Sequence, residues 1–183
     1  VNAFIMEDGN ISVKGTGTNT NNESRGIIVE GSEKQPGEGF IEIHGGNVNI
    51  DTYSKGISAK WDFDDDAETE DTSDDPFPYV KITGGTVNVK THGTPQDESR
   101  NTSTFIDADG ESVTETTKLS PEGIEGKQAV YIAGGNLHLE TTDDFINASR
   151  DGSAYIEISG GSIYAYSSKN DAIDSNGNLT ISG

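Results

Sequence analysis

Glu122, Asp144 and Asp171 occupy one repeated place in the chain, each two residues before an isoleucine, in the segments EGIEGKQ, DFINASR and DAIDSNG. One residue beyond the same isoleucine stand Glu125, Asn147 and Asp174, and Asp143 directly precedes Asp144. If the three segments lie side by side in register, two rows of oxygen ligands run across them at about the 4.8 Å spacing of neighbouring strands. Like charges set directly opposite one another destabilise a sheet. Such a row must therefore fan into water, take up protons or share a cation. Calcium, which takes about six to eight oxygens from carboxylates, amides and carbonyls, is the ion whose chemistry suits this set. A second reading needs no ion, because Asp favours the turn before a strand through its own side-chain bonds to the backbone. Two earlier segments, RGIIVEG and KGISAKW, put Arg25 and Lys55 into the first row.

For these segments to meet, the chain must return repeatedly to the same place, and an internal repeat supplies the means. FIEIHGGNVNIDT, YVKITGGTVNVKT, AVYIAGGNLHLET and AYIEISGGSIYAYS share one pattern of alternating strand, glycine pair and second alternating strand. A degenerate first copy, AFIMEDGNISVKG, precedes them, and a further copy opens as NLTISG. Period-two alternation is the signature of β structure. The inward residues of the first strand are Ile41 and Ile43, Val80 and Ile82, Val130 and Ile132, Ile156 and Ile158, and Leu179 and Ile181. A third short strand follows each pair, headed by the segments described above. Three strands per repeat, stacked repeat on repeat, predict a right-handed single-stranded parallel β-helix of about five coils, forming one domain over 1–183. Glycine pairs supply the tight corners, and Thr52, Thr91 and Thr141 fall into one column beside the core.

Two insertions interrupt the pattern, at about 62–78 and 93–121. The first carries nine carboxylates within residues 62–75 and reads as a solvated acidic loop that lacks the EF-hand spacing. The second contains TFIDADGESV, expected to be a hairpin turning at Asp109-Gly110, with Asp107 and Asp109 as candidate cation ligands.

Composition narrows the function. Twelve basic residues face 32 acidic ones, a formal charge of −20, which excludes a phosphate-tracking surface and with it nucleic acid as a partner. There is no cysteine, so thiolate sites and disulfides are excluded. No apolar run approaches the roughly 20 residues of a membrane span, so membrane insertion is not expected. A secreted or cell-surface location is expected.

The glycine-pair turns and the Asp-x-Ile-x-Ala/Ser third strand together resemble a clostridial family of secreted carbohydrate-binding domains. That resemblance implies a right-handed parallel β-helix similar in shape to pectate lyases, bound calcium, and recognition of cellulose and acidic sugars such as polygalacturonate. The family's Asp-Asp-Gly-Ile stands here as Asp143-Asp144-Phe145-Ile146. On this reading the ligands of calcium are drawn from Glu122, Glu125, Asp143, Asp144, Asn147, Asp171 and Asp174, and the partner is a polysaccharide of plant cell-wall type. Bound calcium can bridge protein carboxylates to uronates, with Arg25, Lys55 and Lys60 on the same face. Neutral glucan would rest on aromatic rings, for which Trp61, Phe63, Tyr53, Phe77 and Tyr79 are expected to cluster around the first insertion. Two other readings remain at this point. One is a calcium-dependent polysaccharide lyase with Lys55 or Arg25 as base. The other is a structural β-solenoid segment of a larger surface adhesin with flanking domains.

Overall fold

The structure, a computed structural model, describes residues 2–16, 24–31, 37–61, 76–95, 100–106, 112–118, 120–167 and 169–183. The acidic stretch 62–75 with Phe63, and the candidate ligands Asp107 and Asp109, lie outside the described residues.

The protein is all-β, and its strands fall into the three series that the repeat predicts. The first series is β1 (Ala3–Met6), β4 (Phe40–Ile43), β7 (Tyr79–Ile82), the opening parts of β12 (Ala129–Thr141) and β14 (Tyr155–Ser167), and β16 (Asn178–Ile181). The second is β2 (Asn10–Lys14), β5 (Asn47–Thr52), β8 (Thr86–Thr91) and the closing parts of β12 and β14. The third is β3 (Ile27–Gly31), β6 (Ile57–Trp61), β11 (Ile124–Gly126), β13 (Ile146–Ala148) and β15 (Ile173–Ser175). Pairing within every series is parallel. The first two series join through β12 and β14 into one curled nine-stranded sheet, and the third forms a separate five-stranded sheet.

Register follows the aliphatic columns. Ile41 pairs with Val80, Val80 with Val130 and Val130 with Ile156, while Ile57, Ile124 and Ile146 align across the third series. These residues are essentially inaccessible, so each column is a continuous aliphatic stack between the sheets. A one-residue slip would turn a whole strand's aliphatic set outward, which is why the pattern fixes register so firmly. Leu179 and Ile181 depart from the expectation: both are exposed, because β16 has a neighbour, β14, on one side only among the described residues.

At the corners, the second glycine of each pair takes a left-handed backbone, with φ of 78° at Gly46, 83° at Gly85, 89° at Gly135 and 90° at Gly161. The threonine column is buried as expected, yet Thr52 and Thr141 donate to the carbonyls of Ser54 and Asp143 two residues on, so the hydroxyls close the next turn rather than bonding along the stack. The second insertion does form a hairpin. In it β9 (Arg100–Ile106) pairs antiparallel with β10 (Ser112–Lys118), Phe105 opposite Val113.

Candidate functional site

The third sheet brings the acidic row together. Ile57, Ile124, Ile146 and Ile173 share one column, so Ser58, Glu125, Asn147 and Asp174 share the next. Backbone bonds from Gly56 to Glu122 and from Gly123 to Asp144 carry the register back through the segment before the isoleucines. Glu122, Glu125, Asp143, Asp144 and Asn147 are all buried, whereas Asp171 is exposed and Asp174 intermediate.

Two rungs of this row are answered from within the protein. The Lys55 ammonium reaches both the Glu122 carboxylate and, at 2.9 Å, that of Glu125. Ser58 and Ser149 donate to the two Glu125 oxygens at 2.6 and 3.1 Å, and the Asn147 amide donates to Glu122 at 2.9 Å. Burial alone would drive the Lys55 ammonium toward neutrality, but the two carboxylates outweigh it and hold the lysine firmly protonated. Burial also opposes ionisation of Glu125; Lys55 and the hydroxyl donors overcome that and hold it below the usual range. For Glu122 burial wins, with the Glu125 charge adding to it, and its carboxyl is pushed up to about 7. One cation thus secures one of the two glutamates and leaves the other close to titration at neutral pH.

Among the described residues no ion pair is recorded for the Asp144 and Asp171 rungs. Asp144 is 4% exposed, and its Oδ1 has no hydrogen-bond partner; Asn147, 7% exposed, has an equally orphaned Oδ1. Burial, then the charges of Asp143, Asp174 and Asp171, push the Asp144 carboxyl up to about 7. Asp143 is better served, accepting from Asn170 at 2.7 Å. Among the described residues no three acidic or histidine side chains already converge as a ligand set. What the β13 and β15 rungs offer is unmet oxygen: two buried orphans, and beside them Asp171 and Asp174.

The basic and aromatic candidates have partners within the protein. Arg25 and Lys60 both lie against Glu30, at 3.6 and 3.0 Å, and Lys55 is the buried counterion just described, so these three side chains answer the protein's own acids. Lys55 and Glu122 are legible as members of one column, but the 62–121 stretch between them hides that proximity in the linear sequence. Among the described residues the rings do not form one cluster. Trp61 lies under the Arg150 guanidinium, 5.0 Å from its ring centre, and Tyr53 packs against His92. Phe77 and Tyr79 join Phe40, Tyr131 and Tyr155 in a strip of ring contacts across the first series of strands.

An all-β scaffold of stacked parallel strands, with side chains ranked in columns and an unsatisfied acidic rung, defines a class of protein that presents ordered rows of functional groups. The sequence profile of a family described as "Carbohydrate-binding domain-containing protein" matches residues 1–172, and the chain belongs to that family. No curated protein and no solved structure matches the chain.

Proposed function

We propose that the chain is a non-catalytic module for binding extracellular polysaccharide, wound as a right-handed parallel β-helix, that holds calcium at the β13 and β15 rungs. Family membership supports carbohydrate binding, and the right-handed winding follows from the strong preference of parallel crossovers. The observation that carries the metal reading is that two buried oxygens of this rung, Asp144 Oδ1 and Asn147 Oδ1, have no hydrogen-bond partner. A buried carboxylate oxygen without a donor costs free energy that a hard cation would recover. Asp144, Asn147, Asp171 and Asp174 would hold the ion, which supplies positive charge to an otherwise acidic face. Asp171, at the exposed end, leaves a side open to a uronate carboxylate from an acidic sugar such as polygalacturonate. Glu122 and Glu125 take no part on this reading, because Lys55 already answers them.

The same geometry speaks against Lys55 as the base of a lyase. An ammonium held protonated between two glutamates cannot abstract a proton near neutral pH.

Calcium titration by calorimetry tests the proposal, together with retention on polygalacturonate gel and on cellulose with and without chelator. Wild type should take up calcium, Asp144→Asn should bind it at least tenfold more weakly (roughly 1.4 kcal/mol), and polygalacturonate retention should fall with chelator. Equal calcium isotherms for wild type and the Asp144→Asn/Asp171→Asn double variant would refute the site.

A further inference from the structure

On the outer face of the first series of strands, the alternation of β7 turns Tyr79 and Lys81 outward while Val80 and Ile82 enter the core. Tyr131 of β12 is the register partner of Lys81, and Pro76 and Phe77 run just ahead of β7. These five residues line a cleft of about 230 Å³. An apolar cavity of about 150 Å³ is enough to hold benzene, so the cleft has room for one ring and a short arm.

Its walls are aromatic and inclined to one another. The Phe77 ring lies 4.9 Å from that of Tyr79 at 52°, and the Tyr131 ring lies 5.8 Å from that of Tyr79 at 81°. A further ring among walls at such angles meets both faces and edges, the arrangements that aromatic pairs prefer. The two tyrosine hydroxyls are already paired within the protein: Tyr79 donates to Glu42 at 2.6 Å, and Tyr131 shares a hydrogen bond with Tyr155. A sugar, hydroxylated on most of its carbons, would bury polar groups against these rings with little to answer them. The remaining polar side chain of the lining is Lys81. Among the described residues its ammonium makes no ion pair. Glu42, the carboxylate that feels its charge, is taken up by Tyr79 and by His44 at 3.0 Å. Aromatic walls with one such cation at their side match an anion carried on a flat apolar frame.

We propose that this cleft binds a free, single-ring aromatic carboxylate, with its ring among Phe77, Tyr79 and Tyr131 and its carboxylate on the Lys81 ammonium. Tyr79, Lys81 and Tyr131 stand on paired strands, so little ordering is lost when the ligand enters. The cleft lies on the nine-stranded sheet, whereas the proposed calcium rungs belong to the five-stranded one. The site goes beyond the polysaccharide reading and depends on neither the sugar nor the metal.

Calorimetry with three probes tests it: cinnamate, cinnamamide, which keeps the ring and loses the charge, and galacturonate, which keeps the charge and loses the aromatic ring. Wild type should bind cinnamate at least tenfold more tightly than either of the others. Lys81→Met should weaken cinnamate roughly tenfold, to the level of cinnamamide, and Lys81→Arg should keep the preference for the acid. Wild type that binds cinnamamide as tightly as cinnamate would overturn the role of Lys81, and so would unchanged cinnamate binding in Lys81→Met. Galacturonate bound as tightly as cinnamate would overturn the aromatic ligand, and wild type that binds no cinnamate would overturn the site. The comparison of probes on wild type decides the ligand class even where a variant does not fold, and none of these results bears on retention by polysaccharide.

Discussion

Lys55 and Asp144 show how one column position can be settled in two ways. Removing the buried ammonium, as in Lys55→Met, strands Glu122 and Glu125 without their cation, and such a loss should cost roughly 3–5 kcal/mol, measured by urea unfolding at pH 7.5. Restoring neutrality with Glu125→Gln in the same chain should recover a good part of that loss. Asp144→Asn should cross over in sign. With chelator present it removes a buried, mutually repelled charge and should stabilise by about 1–2 kcal/mol; with calcium saturating it should be the less stable protein. The row itself is legible because each acid sits at a fixed offset from an isoleucine whose place is set by core packing. Which acid gains which partner is not, since a lysine stem spans rungs according to local packing that periodicity does not record. Arg25 and Lys60 illustrate the same point: Glu30, near the end of the very strand that Arg25 precedes, takes both of them.

Strands and corners are the most readable level. Alternating aliphatics and glycine pairs locate the three series, and the Ile57, Ile124 and Ile146 column follows from side-chain volume and spacing, each buried isoleucine contributing about 2–3 kcal/mol by transfer. The hairpin is foreshadowed by the Asp-Gly pair in the sequence, though its strands run longer than TFIDADGESV suggests, to Arg100 and Lys118. Less readable is the close approach of backbones at the glycines before β3, β6 and β11. A Cβ on Gly56 would lie 2.2 Å from Val89 Cγ1 and 2.6 Å from the Gly123 carbonyl oxygen. Gly56→Ala must therefore push neighbouring rungs apart, and should lower stability by roughly 2–3 kcal/mol, read from the midpoint of urea denaturation. An unchanged midpoint would mean that the rungs have slack that the packing does not show. A glycine is visible at position 56 in the linear chain, but the need for it arises only when the next rung is in place.

Across the whole molecule, the proposed metal would be linked to acidity through proton binding. Asp144 binds its proton more tightly folded than unfolded, with its carboxyl at about 7 in the native protein against about 3.9 in an open chain. Between those two values the native state holds more protons, so stability falls as pH rises through the window and is level above it. Melting in chelator should therefore drop between pH 5 and about pH 7.5, by an amount equivalent to about 2 kcal/mol or less. Saturating calcium should reduce that slope to the part carried by Glu122, whose carboxyl is also raised to about 7, because the ion competes with the proton for the Asp144 oxygen only. A slope that calcium leaves unaltered would place the responsible group elsewhere. At this scale the formal charge and the repeat are plain in the sequence, whereas the joining of the first two series through β12 and β14 is not, since the glycine pairs at 134 and 160 look like those at 45 and 84 where the strands are separate.

Lys55 amounts to a counterion tethered to the backbone, supplied by the chain at one rung where, on the proposed reading, the next would recruit its own from solution. Asp171 follows Asp144 by one rung, as Glu122 follows Lys55. Asp171→Lys would then transplant that tether, yielding a protein whose unfolding temperature no longer responds to chelator, with metal dependence exchanged for a single covalent charge.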